Sequence, residues 1–227
     1  LHTNNGTNGT AQGLILPSKV KSATNGGRKN LDFSARESRF NIISSTPIGG
    51  KPLTTRLEFD LFGSGGTETT SNSHNLRVRH AVGSWGNWTM GQTWGTFMDL
   101  AAIPELNAFG LYAGAIFSRQ AQIRYTHKFN GGSVMAAMEN AQDNGGDNQN
   151  RPDLVGRVNF DGKWGHASAA VLQRVLVDSA KNDKANVTAV NFTAKFPIVG
   201  RDNFIFQHTS GVLGRYLASG LFSDLDP

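Results

Sequence analysis

Asn75-Leu76-Arg77-Val78-Arg79-His80-Ala81-Val82-Gly83-Ser84-Trp85-Gly86-Asn87-Trp88-Thr89-Met90-Gly91-Gln92-Thr93-Trp94-Gly95 decides how this chain is read. Two stretches with strand character, 75–85 and 88–95, flank the short turn Gly86-Asn87. A tryptophan stands on each side of that turn, Trp85 and Trp88. Amphipathic rings favour the headgroup level of a bilayer, where membrane barrels carry an aromatic girdle. Cross-strand packing at a hairpin end of a soluble sheet would use the same residues. The rest of the chain has to choose.

Outward from this hairpin the turn signals alternate in length. The short ones are Pro47-Ile48-Gly49-Gly50-Lys51-Pro52, Gly86-Asn87, Asn130-Gly131-Gly132, Asp161-Gly162-Lys163 and 197–203. The long ones are 63–73, 95–116, 142–151, 177–184 and everything after Gly211. Ten strand-like segments lie between them, near 31–46, 53–62, 75–85, 88–95, 117–128, 133–141, 153–161, 163–176, 186–196 and 203–210. Their lengths suit a tilted strand, which needs roughly 9 to 11 residues to cross a bilayer. Outer-membrane barrels are built in this order, with tight periplasmic turns and longer outer loops; a sandwich mixes loop lengths at both ends. Trp85, Trp88, Phe129, Phe160, Trp164 and Phe196 all stand within about two residues of a short turn, at four of the five such turns. That repetition favours the girdle.

Alternation is compatible with this but does not decide it. Leu53, Thr55, Leu57, Phe59 and Leu61 oppose Thr54, Arg56, Glu58 and Asp60. Ala121, Ile123 and Tyr125 oppose Gln120, Gln122, Arg124, Thr126 and Lys128, and Leu154, Gly156, Val158 and Phe160 oppose Asp153, Arg157, Asn159 and Asp161. A charged second face suits solvent as well as a lumen. Around Arg36 to Arg39 the apolar parity shifts, as a bulge would make it do. The alanine-rich 163–176 segment leaves either face free to point outward, and its small residues are a candidate subunit contact.

Composition agrees. Apolar residues are 38% of 227, low for a compact soluble domain, and no apolar run reaches the roughly 18 to 20 residues of a membrane helix. There is no cysteine, hence neither a disulfide nor a thiolate metal site. The net charge of +5 fits a surface for nucleic acid or anionic lipid, or an anion-attracting pore. Leu1 opens no signal peptide but a polar tract, 1–12, with two Asn-Gly-Thr repeats. The first strand runs toward a short turn and the tenth leaves one, so both ends are expected at the outer surface. Bacterial barrels close with an even strand count and short turns in the periplasm. The expectation is therefore an all-β, transmembrane, antiparallel up-and-down β-barrel, present in part. Residues 1–30 would be an outer-surface loop region, 31–210 ten transmembrane strands, and 211–227 the start of a further outer loop.

Specific words then become recognisable. Ala35-Arg36-Glu37-Ser38-Arg39-Phe40, Leu76-Arg77-Val78-Arg79-His80-Ala81, Gly91-Gln92-Thr93-Trp94-Gly95-Thr96-Phe97-Met98-Asp99 and Arg119-Gln120-Ala121-Gln122-Ile123-Arg124-Tyr125 resemble the DcaP-like porin family, as does Gly214-Arg215-Tyr216. The resemblance spans about 31 to 216 in the right order. It implies a sixteen-stranded homotrimeric porin among outer-membrane lipid and lipopolysaccharide, passing small anionic solutes such as dicarboxylates. This chain would supply strands two to eleven, without the family's N-terminal helical segment, its first strand or its last ones. The same mapping makes 95–116 the third outer loop, which in general porins folds inward to narrow the pore. Trp94, Phe97, Met98, Leu100, Phe109 and Tyr112 would pack that constriction loop on the wall, with Asp99 and Glu105 reaching the lumen. Loops this long without structure of their own are usually functional.

Taken literally, alternation turns Arg39, Arg56, Arg77, Arg79, Arg124, Lys128, Arg157, Arg174 and Lys195 toward the lumen, against Glu58, Asp60, Asp153 and Asp161. Rings of arginine and lysine select for anions, and arginine grips a carboxylate bidentately. About half the arginines are expected to meet solute. Arg77, Arg79 and Arg124 come first, because fewer acids flank them; Arg56, with Glu58 two residues on, exemplifies internal pairing.

No catalytic residue, cofactor, metal or nucleic-acid partner is expected. His2, His74, His80, His127, His166 and His208 show no metal-ligand spacing, and no Gly-x-Ser-x-Gly, phosphate loop or His-Glu-x-x-His occurs. Ser118 and His80 resemble a rim protease dyad only loosely. Asp143-Asn144-Gly145-Gly146-Asp147-Asn148 has oxygen ligands for calcium but reads more simply as a solvated outer loop. The alternative from another class is a soluble β-sandwich or adhesin binding glycan or anionic polymer.

Overall fold

Period-two alternation broken by turn residues leaves each segment one economical way to satisfy its backbone, which is to pair with the next. The computed structural model describes residues 2–5, 29–32, 35–63, 71, 73–105, 114–141, 151–178 and 183–217. Its strands are β1 (His2–Asn5), β2 (Lys29–Asp32), β3 (Arg39–Ile48), β4 (Lys51–Gly63), β5 (Asn75–Trp85), β6 (Trp88–Trp94), β7 (Arg119–Phe129), β8 (Gly132–Glu139), β9 (Asp153–Gly162), β10 (Gly165–Asp178), β11 (Asp183–Pro197) and β12 (Asn203–Gly211), followed by a 3-10 turn at Gly214–Tyr216. β3 to β12 form one ten-stranded sheet in which every strand neighbours the next in sequence, and β1 pairs β2 separately. This is the antiparallel up-and-down wall that the turn signals predict. Among the described residues β3 and β12 do not pair with each other.

The turns explain the registers. Gly49 and Gly50 have φ of 59° and 75°, the left-handed pair that matches a two-residue hairpin to the twist of its strands. At Gly86-Asn87, Trp85 pairs directly with Trp88, which sets both rings at the hairpin end. The expected first strand, 31–46, is shorter. Ala35–Ser38 form a turn closed by Ser38 N–H to Ala35 O at 3.0 Å, and β3 begins at Arg39. The parity break there is thus a turn rather than a bulge. A second break falls at Arg79 and His80: both are buried, and the exposed parity passes from Leu76 and Val78 to Ala81 and Trp85. A bulge turns two successive residues to one face in this way.

Burial runs opposite to that of a soluble sheet. Leu154 (50% exposed), Phe192 (46%) and Ile123 (42%) stand open, while Arg174 (2%), Asp153 (1%) and Asn191 (2%) are buried. Along β7 to β11 the apolar face is thus exposed and the polar face covered, whereas β3 is exposed along its whole length. β10 becomes readable: His166, Ser168, Ala170, Leu172 and Arg174 lie on the charged face, and Ala167, Ala169 and Val171 on the other.

Two compact units divide the chain: Leu1–Ile42 with Leu57–Arg79 and Leu106–Leu111, and Ile43–Arg56 with His80–Glu105 and Tyr112–Pro227. The second holds the buried apolar cluster. Phe97, Met98, Ile116 and Tyr216 come from loops and press on Ala137, Val155, Ala170, Leu172 and Ala189, one or two from each of β8 to β11. Small wall residues make room for large loop ones.

Candidate functional site

In the first unit arginines and carboxylates pair across the charged face. Arg77 holds Asp60 bidentately, Nε to Oδ1 at 3.0 Å and Nη2 to Oδ2 at 2.7 Å. Arg79 bridges Glu58 (2.7 Å) and Asp60 (2.9 Å), and the more exposed Arg39 approaches Glu58 at 3.7 Å. Neighbours in sequence are poor guides to this. Arg77 and Arg79 rank first for solute because few acids flank them along the chain, yet both have acids on the adjacent strand. That reason for the ranking does not hold.

In the second unit the stretch after β6 turns back onto the charged face. Gly95 permits the turn: a Cβ there would lie 3.1 Å from Ser118 Oγ and 3.3 Å from Glu139 Oε2. Thr96 then donates its N–H to Glu139 (2.5 Å) and its hydroxyl to Gln122 (2.9 Å). Asn191 donates to Phe97 O at 3.1 Å, and Arg157 to Met98 O. Asp99 accepts from Arg157 Nη2 at 2.7 Å, lies 2.9 Å from His166 Nε2, and also accepts from Thr193. His166 Nδ1 faces Asp161 at 2.7 Å. Burial alone would raise the Asp99 carboxyl, but the Arg157 charge, with the Thr193 and His166 contacts, holds it below the usual carboxylate value. The side chain that sequence assigns to the lumen is bound to the wall.

A second cluster lies beside the first. Asp153 accepts from Arg174 (3.3 Å), Arg215 (2.8 Å) and the Tyr216 hydroxyl (3.1 Å), which also reaches Glu139 at 3.1 Å. Burial first, then the nearby carboxylates, push the Tyr216 phenol well above its usual value, so it stays a donor.

The predicted lining residues therefore separate. Arg77, Arg79, Arg157 and Arg174 are ion-paired, and Arg39 more loosely. Arg124, Lys128 and Lys195 form no ion pair among the described residues, and the Arg124 Nε is buried without a hydrogen-bond partner. Arg56 is half-buried and has a partner on the protein. Glu105 is exposed at the edge of the described residues. Phe109, Tyr112, the Asp143–Asn148 loop and most of 1–30 lie outside them. Glu139, His166, Asn191, Thr193, Arg215 and Tyr216 had no assigned role from sequence. Parity places Glu139 with Ser133 and Ala137, opposite Val134 and Met138; it does not reveal that a loop returns to it.

Apolar side chains exposed on one face of the strands and charged ones covered on the other define the wall of an outer-membrane β-barrel, not a soluble sandwich or adhesin. The chain belongs to the DcaP outer membrane protein family, whose family model matches residues 13–163, more than half its length. The fold is similar to the crystal structure of the outer membrane channel DcaP of Acinetobacter baumannii, with a TM-score of 0.75 and 23% identity over 86% of this chain. The matched region is 57% of that channel's chain. No curated protein matches.

Proposed function

We propose that this protein is a passive channel and not an enzyme, admitting small hydrophilic and preferentially anionic solutes such as dicarboxylates across the outer membrane. In this reading 95–116 is the constriction loop and the assembly is a homotrimer set in lipid and lipopolysaccharide. The observation that carries the anion preference is an imbalance on the charged face. Asp60, Glu58, Asp99 and Asp153 are all engaged by arginines. Lys128 and Lys195 have no acid paired to them among the described residues, and Arg124, which feels the buried Glu139 only at longer range, keeps an unbonded buried Nε. Cations left over in a low-dielectric wall raise local anion concentration, and a planar guanidinium takes a carboxylate in two hydrogen bonds. A dicarboxylate has a second carboxylate to offer before the first is released. The test is the single-channel reversal potential of the full-length protein in planar bilayers under a potassium chloride gradient. Stepwise conductance with anion preference is expected; cation preference would overturn the reading.

A further inference from the structure

The segment after β12 behaves unlike the outer loop expected of 211–227. Tyr216 is fully buried and Arg215 nearly so, both against the charged face. Their partners Glu139 and Asp153 stand at the long-loop ends of β8 and β9. β8 is the fourth strand along from β12. At about 4.8 Å per strand, a segment reaching Glu139 from the end of β12 has to lie across that face.

It also joins the long loop. Phe117 N–H donates to Tyr216 O at 3.0 Å, and Ile116 and Leu217 form an antiparallel bridge. The Tyr216 ring meets Phe97 edge-on, centroids 5.8 Å apart at 78°. Arg215 and Arg174 lie against the same ring, at 5.3 and 5.7 Å. One carboxylate, Glu139, thus receives the outgoing limb of the loop through Thr96 and the post-β12 segment through Tyr216.

We propose that residues 213–217 are a second inward-folded element which, with 95–105 and 114–118, sets the bore of the channel, Tyr216 being the positioning residue that holds them together. This rests on the channel reading above. A tyrosine suits the place because its ring fills the apolar cluster while its hydroxyl reaches two carboxylates that the arginines alone leave incompletely bonded.

The experiment uses the full-length protein in planar bilayers. The chain has no cysteine, so Ile116→Cys with Leu217→Cys offers oxidant a single pair, at a spacing that antiparallel bridge partners share with disulfides. A cross-link should form readily and leave unitary conductance unchanged, since the two limbs are already joined. Tyr216→Ala should give a larger conductance step, and Tyr216→Phe, which keeps the ring, a smaller increase. A bulky thiol reagent on Leu213→Cys, a half-buried position, should reduce conductance. Failure of the cross-link, or unchanged conductance in both Tyr216→Ala and labelled Leu213→Cys, overturns the proposal. If Tyr216→Ala does not refold, the cross-link and the labelled cysteine decide. Absence of any conductance in the unsubstituted protein would instead sink the channel reading, and this proposal with it.

Discussion

Arg157, His166 and Thr193 stand on three successive strands, and all three reach the one carboxylate of Asp99. Removing that carboxylate leaves a buried guanidinium without its counter-ion, a loss of about 3–5 kcal/mol for comparable pairs. Asp99→Ala in the full-length protein should therefore lower the urea midpoint in detergent micelles; an unchanged midpoint means the cluster does not hold the loop. Pairing Asp99→Leu with Arg157→Leu should cost less than the two singles together, because neither partner is then left alone. Acid acts on the same contact. A carboxylate held below its ordinary value of 3.8 contributes fully above that pH and loses its contribution as pH falls through the folded value. Loop release, read as a rise in unitary conductance, is expected only below pH 3.8; a rise near neutrality would assign the anchor to another group. Asp99 was legible in the sequence as a loop residue, but its partners were not. They lie 58 to 94 residues further along the chain.

At the level of the strands, the two faces make a sharper prediction than any single contact. Phe192 sits on the apolar face of β11, and arginine near the bilayer midplane costs about 2–4 kcal/mol. Phe192→Arg should lower stability by about that amount, while Thr126→Arg on the charged face of β7 should change ion selectivity and leave the midpoint nearly alone. Equal costs at both positions, measured by urea unfolding, would mean the faces are assigned wrongly. The strands from β4 to β12 were readable because turn residues punctuate them and alternation marks their faces. The segment before Arg39 was not. Leu31, Phe33 and Ala35 alternate as a strand does, yet Lys29–Asp32 pairs with His2–Asn5. Alternation identifies a face, not a partner.

For the whole molecule, selectivity is a matter of which charges remain after pairing. Arg124→Gln should reduce anion preference in the reversal potential and break no ion pair. Arg77→Gln with Arg79→Gln should do more: it uncovers Glu58 and Asp60, moves the reversal potential toward cations and destabilises the sheet. If Arg124→Gln leaves the potential unchanged, the unpaired cations are not what solutes meet.

What the sequence determined by itself is the architecture. Strand length, alternating turn length and aromatic rings at hairpin ends are local properties, each set by a few neighbouring residues and the bilayer they cross. The lining residues were determined only as a set, because period-two alternation says that Arg77, Arg124 and Arg174 share a face and nothing about what opposes them. The tertiary structure decided which cations stay unpaired, where Asp99 points, and that Gly214–Tyr216 returns across the charged face. Those outcomes depend on strand register and on loops meeting walls far away in the chain, and electrostatic pairing follows distance in space rather than distance in sequence.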